Sequence, residues 1–264
     1  MNTITTLSTL SNDVKTVVAA GGTTTKEYDR LIRRWDDFTE LGKPATKALT
    51  AAILGDTPME RVGELQALAL AEQATPIAAA DIRIIAAESI YPAVRAEITK
   101  AAQSNYETIA KKFTATGKAF SRAASVIDPE SDPAGLISAD DATRKAWTDS
   151  GILAHQLNSQ LRTLATAARL AGAQVSSDTG LLALTIAPET SHRRRVWEAW
   201  QTHGRTGRWA AIHALGLSIE ACCLEDHTPY REPAPLETRY ERTRFGQQAY
   251  SFDPEDQTPD PAES

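Results

Sequence analysis

Cysteine is nearly missing from this 264-residue chain: there are two, Cys222 and Cys223, and they are adjacent. Neighbouring residues cannot close an ordinary disulfide, so a disulfide framework is excluded and a reducing compartment, the cytoplasm, is the expected location. Long apolar runs are missing too. No stretch reaches the roughly 18 apolar residues that a membrane span requires, and the start MNTITTLSTLSNDVKT has neither the basic head nor the apolar run of a secretory leader. A soluble protein without a membrane partner is the expectation. Aromatic residues are only 6% of the chain, while alanine supplies much of its apolar content, which favours close-packed helices over a β-sandwich.

Catalytic signatures are equally scarce. There is no nucleophile elbow, Ser/His/Asp set or dinucleotide fingerprint, and GGTTTK at 21–26 lacks the GxxxxGK[ST] spacing of a phosphate loop. His213, Cys222, Cys223 and His227 have the atoms of a zinc site, but they follow one another along an expected helix and its exit rather than in paired loop spacings. No metal, cofactor or small-molecule ligand is therefore indicated. The net charge of −6 is also uninformative about the body of the chain. Residues 225–264 hold ten acidic and four basic side chains, which leaves residues 1–224 close to neutral.

What the chain does contain is helical period. From Ile77 to Ile127 an apolar or small residue returns every three or four positions: Ile84, Ala87, Tyr91, Val94, Ile98, Ala102, Tyr106, Ile109, Phe113, Phe120 and Ala124 all fall on it. Pro92 must kink or break this helix, and Gly117 is a weaker fault costing about 1 kcal/mol relative to alanine. Four shorter helices precede it. Ile4 to Val18 end at Gly21, Thr24 and Glu27 form a capping box for the next, an alanine-rich helix follows from Pro44, and Thr57, Pro58 and Glu60 open the fourth. Thr75 and Pro76 repeat the cap-plus-proline device at the head of the long helix.

The connector DPESDPAG, 128–135, reverses the chain, and Ser138 with Asp141 caps a return helix expected to run antiparallel to Gly172. LLALTIA, 181–187, reads as a short strand or an extended segment. Thr190 or Ser191 then caps a helix through His203, and a second runs from Gly207 to Leu224. The fold class is thus all-α: an elongated helical bundle with a long kinked central helix, an antiparallel return helix and a disordered C-terminal tail. Its expected divisions are N-terminal helices at 1–75, a long helical hairpin at 76–172, a C-terminal pair at 173–225 and a disordered acidic tail at 226–264 with six prolines.

One local composition stands out. HRRRVWEAWQTHGRTGRW, 192–209, gathers five arginines and three tryptophans around one glutamate. Arginine forks hold phosphates and indole rings stack on bases, so Arg193, Arg194, Arg195, Trp197, Trp200, Arg205 and Arg208 are the candidate contacts to nucleic acid or to an acidic partner. The same residues also suit a plain structural role, with the tryptophans anchoring a helix and the arginines solvated or paired with the acidic tail. The leading functional expectation is a non-enzymatic assembly or adaptor protein that self-associates or holds a partner helix along its long seam. Nucleic-acid binding through 192–209 is the alternative, and an enzyme of unknown class is the third.

Overall fold

A computed structural model describes residues 3–40, 44–73, 76–186, 193–244 and 246–255. The fold is mostly α-helical, as the sequence period requires. The chain divides into two compact units, Met1–Tyr106 and Glu107–Ser264.

In the first unit, α1 (Thr3–Ala19) buries Leu7, Leu10, Val14 and Val17. The next helix, α2 (Lys26–Glu40), buries Tyr28 and Ile32. Its N-terminal donor is met one residue later than the capping box predicts: Thr25 Oγ1 accepts from the Tyr28 amide at 3.0 Å, while Thr24 donates to Asp29 and Glu27 pairs with Arg30. α3 (Pro44–Leu54) and α4 (Met59–Gln73) form a hairpin locked by a contact that no local motif announces. Glu72, near the end of α4, accepts from the amides of Ala45 and Thr46 at 2.6 and 2.8 Å, so a carboxylate meets the free donors and positive end of α3. The cap assigned to Thr75 lies outside the described residues.

The long period is a single element, α5 (Pro76–Ala124), and it continues through Pro92. Pro92 and Glu88 are both exposed, so water can serve the carbonyl that the ring leaves without a donor. Within the first unit α5 buries Ala87, Val94, Ile98, Ala102 and Tyr106. Asn105, also buried, fixes the α1–α2 loop by accepting from the Thr23 amide at 2.7 Å and donating to the Thr23 carbonyl at 2.8 Å. Glu97 adds a bond from the Thr25 hydroxyl at 2.8 Å.

In the second unit the same seam continues as Ile109, Phe113, Phe120 and Ala124. A short 3-10 turn, Pro133–Leu136, leads to α6 (Asp141–Leu170), whose cap is Asp140 rather than Ser138. Asp140 accepts from the Thr143 amide at 2.7 Å, and its charge suits the helix start better than a hydroxyl does.

The segment read as a short strand or an extended stretch, 181–187, is instead mostly helix: α7 spans Asp178–Thr185, capped by Ser177. Leu182 and Leu184 are fully buried, and a short helix enclosed on several sides loses the polar face that would reveal its period. Ile186 alone bridges to Ile219, and Ala187 lies outside the described residues, as do the proposed caps Thr190 and Ser191.

α8 (Arg193–Trp200) and α9 (Arg208–Ala214) follow. The helix expected from Gly207 to Leu224 therefore stops ten residues early. Gly216 adopts φ +74°, donating to the His213 carbonyl at 2.8 Å, while Leu217 donates to Ile212 at 3.3 Å. This is a glycine-terminated C-cap, and its apolar contact joins buried Leu217 and Ile212. Beyond it the backbone is extended, with Glu220 and Cys222 each donating to α7 carbonyls, Thr185 and Leu184, at 3.0 Å. The apolar spacing to Ile219 and Cys222 imitated a helix that the glycine ends.

The region expected to be a disordered tail contains an antiparallel hairpin, β1 (Glu237–Thr243) with β2 (Gly246–Phe252), in the register Glu237 to Phe252. Its described side chains form no buried face: Tyr240 and Tyr250 are exposed, so the alternation that marks a half-buried strand is absent among them. Residues 256–264 lie outside the described part.

Candidate functional site

The Arg/Trp-rich segment spans α8, the loop at 201–207 and the start of α9, all in the second unit. Most of it is used inside the chain. Arg194 makes a paired ion contact with Asp253, Nη2 to Oδ1 at 3.0 Å, and also donates to the Ala234 carbonyl. Arg193 reaches Glu255 at 3.0 Å. Three arginines at a helix start oppose the dipole, and these two tail carboxylates supply the negative charge that offsets it.

Tyr230 completes the attachment. Its hydroxyl donates to the Arg193 carbonyl at 2.7 Å and its ring stacks on Trp197, with centroids 6.4 Å apart and planes 9° from parallel. Burial pushes its phenol pKa up to about 12, so it stays a donor at any physiological pH. Arg195 is exposed and makes no ion pair among the described residues.

Trp200 and Trp209 are fully buried and meet edge to face, with centroids 6.0 Å apart at 87°; Trp209 also meets Phe113 at 5.9 Å. The Trp209 Nε1 donates to Asn158 Oδ1 at 3.0 Å. These rings are core, so of the three tryptophans only Trp197 keeps an accessible part.

Arg205 holds the loop. Its guanidinium lies 3.5 Å from the Trp147 ring centroid and donates to the Pro129 carbonyl at 2.7 Å, to Ser150 Oγ at 3.1 Å and to the Trp147 carbonyl. On the other side of the loop, Glu130 accepts from the amides of Arg205, Thr206 and Gly207 at 3.0, 2.6 and 3.2 Å and from the Thr206 hydroxyl at 2.6 Å. Burial raises the Glu130 pKa, but the bonds from Thr206, Arg205 and Gly207 outweigh it and the net shift is downward. Glu130 stood in the sequence as one of several acids in a connector. Its role depends on the loop 75 residues away, which no local signal ties to it.

Every partner of the Glu130 carboxylate is a donor, so glutamine there, with its oxygen kept on Thr206 and Gly207, would turn an N–H₂ toward the Arg205 amide. Glu130→Gln should destabilise the second unit by about 2 kcal/mol in urea unfolding at neutral pH. Because the folded pKa is lowered, the carboxylate's contribution is present above the ordinary value of 4.5 and is lost as pH falls through the folded pKa. The gap between wild type and variant should therefore narrow in acid.

The pinned loop forms one wall of an open cleft of about 500 Å³, closed by His155, Asn158, Leu161 and Arg162 of α6 and by Asp178 and Leu181 of α7. Thr202, His203 and Arg208 complete the loop side. Arg208 is half-buried, its guanidinium 4.2 Å from the Trp200 ring centroid. Burial lowers its pKa, and the nearby Asp178 carboxylate restores part of that loss. In the sequence His155 and Asn158 read as polar interruptions of a helix, and Arg162 draws no notice beside them. Their i, i+3, i+7 spacing places all three on one face, and that was the available signal.

The potential zinc residues go elsewhere: His213 sits 3.5 Å from Ser125 Oγ, and His227 3.2 Å from the Gly180 carbonyl. No family model, curated protein or solved structure matches the chain.

Proposed function

We propose that the protein is a non-enzymatic helical assembly or adaptor protein whose contact surface is the α3–α4 hairpin with the adjoining start of α5. The reading rests on an imbalance between the apolar surface this segment buries and the apolar surface it leaves in water. The hairpin buries Ala52, Leu65 and Ala69, while Ile53, Leu54, Met59, Leu68 and Leu70 are exposed, as are Ile82 and Ile85 in α5. These seven are half of the fourteen exposed large apolar side chains among the described residues. Single exposed leucines are ordinary, but such a concentration within one stretch marks a surface that another apolar surface covers.

Short helices hold little structure alone, and a pair closed by so small a core gains stability from a further layer. A second copy of the chain or a partner helix supplies that layer. Light scattering coupled to size exclusion over a wide concentration range should give a mass above that of one chain, reduced to a monomer by Leu68→Glu with Leu70→Glu. A monomer at every concentration, with the hairpin amides already fully protected from hydrogen exchange, would remove the reading.

A further inference from the structure

We infer that the cleft between α6, α7 and the 201–207 loop binds a small phosphorylated molecule, with Arg162 and Arg208 as the principal anion contacts. The first ground is charge. Arg162, Arg205 and Arg208 line the cleft against one carboxylate, Asp178, and His155 and His203 add two imidazoles. Residues 1–224, which hold all of these side chains, are close to neutral overall, so this is a local concentration of positive charge inside a concave site. Low-dielectric walls strengthen such a field toward an anion.

The second ground is unused donors. Arg205 spends its guanidinium on the Pro129 and Trp147 carbonyls and on Ser150, and so serves to hold the wall. Arg162, Arg208, His155 and His203 make no side-chain hydrogen bond or ion pair among the described residues. Arg208 is the telling member. It is half-buried, its flat face lies on Trp200, and stacking of this kind leaves the N–H edge of the fork free. A desolvated guanidinium without a hydrogen-bonded anion is an unfavourable arrangement, which a bound phosphate would complete with two parallel bonds.

The third ground is preorganisation. The loop that carries His203 and Arg205 and leads into Arg208 is fixed from behind by the four bonds to Glu130 and by the Arg205–Trp147 stack, so little ordering remains to oppose binding. A cleft of about 500 Å³ falls in the range of small-ligand sites. Leu161 and Leu181 offer an apolar wall beside the cations, which suits an organic phosphate better than a bare ion. The alternative occupant with the same chemistry is the backbone of a nucleic-acid strand. Cations gathered around one concave site favour the small molecule, since a strand needs an extended track of charge. Arg193 and Arg194, which would extend such a track, are held by Glu255 and Asp253.

The test uses the full chain and inorganic pyrophosphate at fixed ionic strength, followed by calorimetry and by tryptophan fluorescence, because Arg208 lies on Trp200. Saturable binding is expected. Arg162→Gln and Arg208→Gln should each weaken it about tenfold, while Arg195→Gln, outside the cleft, should leave it unchanged. Arg162 is exposed, so its variant tests the site even if the Arg208 variant folds poorly. A response matched by sodium chloride, or affinity unaltered in Arg162→Gln, overturns the proposal. So does a single-stranded oligonucleotide that binds more tightly than pyrophosphate and loses affinity in Arg195→Gln, which would make the cleft part of a strand-binding face.

Discussion

Gly117→Ala is expected to lower the stability of the Glu107–Ser264 unit by about 3 kcal/mol, opposite in sign to the ordinary effect of the substitution. In the middle of an exposed helix, replacing glycine by alanine gains about 1 kcal/mol. At Gly117 a Cβ would lie 2.1 Å from the Ile219 carbonyl oxygen and 2.9 Å from Ile219 Cγ2. Backbone of another segment crosses the helix there.

Retreat of that segment is hindered at Ile219 and at the three residues that follow it. It bridges to Ile186, the Glu220 and Cys222 amides are bonded to α7, and the Ala221 amide donates to Thr114 Oγ1 at 3.1 Å on the neighbouring turn of α5. Relief of the clash must break some of these bonds or bend α5. Gly63, in the exposed middle of α4 with nothing within 4 Å of the place a Cβ would take, is the internal control, and Gly63→Ala should stabilise by about 1 kcal/mol. Urea unfolding of the two variants reads the contrast, and a Gly117→Ala protein more stable than wild type would refute the crossing.

Trp209→Ala should cost about 4 kcal/mol, the larger of the two effects. The indole is fully buried and touches Phe113 from α5 and Trp200 from α8, while its Nε1 bonds to Asn158 of α6. Removing it opens a cavity where α9 meets three other helices. Trp209→Phe separates the contributions, because it keeps most of the ring packing and gives up the bond to Asn158. Asn158 is exposed and can turn to water, so the phenylalanine variant should lose about 1 to 2 kcal/mol. Equal losses for alanine and phenylalanine in urea unfolding would mean that the hydrogen bond, not the packing, holds this junction.

These two sites also mark where reading the sequence succeeds and where it stops. The seam of α5 was legible from Ala87 to Ala124 because each buried residue follows the last by a few positions on one face, and burial on one face is a property of the helix alone. Gly117 was legible as a glycine in that helix but not as a crossing point, since the partner atom belongs to Ile219. Trp209 was legible on an apolar face, but nothing near it in the chain names Phe113 or Asn158 as its partners. Its neighbour Trp200, equally buried, stood among the arginines as a contact to something outside the chain. The structure gives six of the seven candidate contact residues internal partners: Arg193, Arg194 and Arg205 by ion pairs or hydrogen bonds, Trp197 by its stack on Tyr230, and Trp200 and Arg208 by their contact with each other. Arg195 and Arg208 make no ion pair among the described residues, one lying on the surface and one in the cleft.

By itself the sequence determined the helical class and the extent of the long helix, and it placed the described starts of α2 and α6 to within a few residues. Period, caps and glycine stops act within a few residues, and the chain carries them wherever it goes. Tertiary structure decided what lies between the helices: that 181–185 winds rather than extends, that the backbone beyond Gly216 runs along α7, and that Asp253 and Glu255 of the acidic tail come to Arg194 and Arg193. The last two outcomes depend on a carbonyl or a carboxylate brought from tens of residues away. The same holds for the cleft, whose cations are scattered over 155–208 and acquire a common field only when α6, α7 and the Glu130-bound loop enclose them.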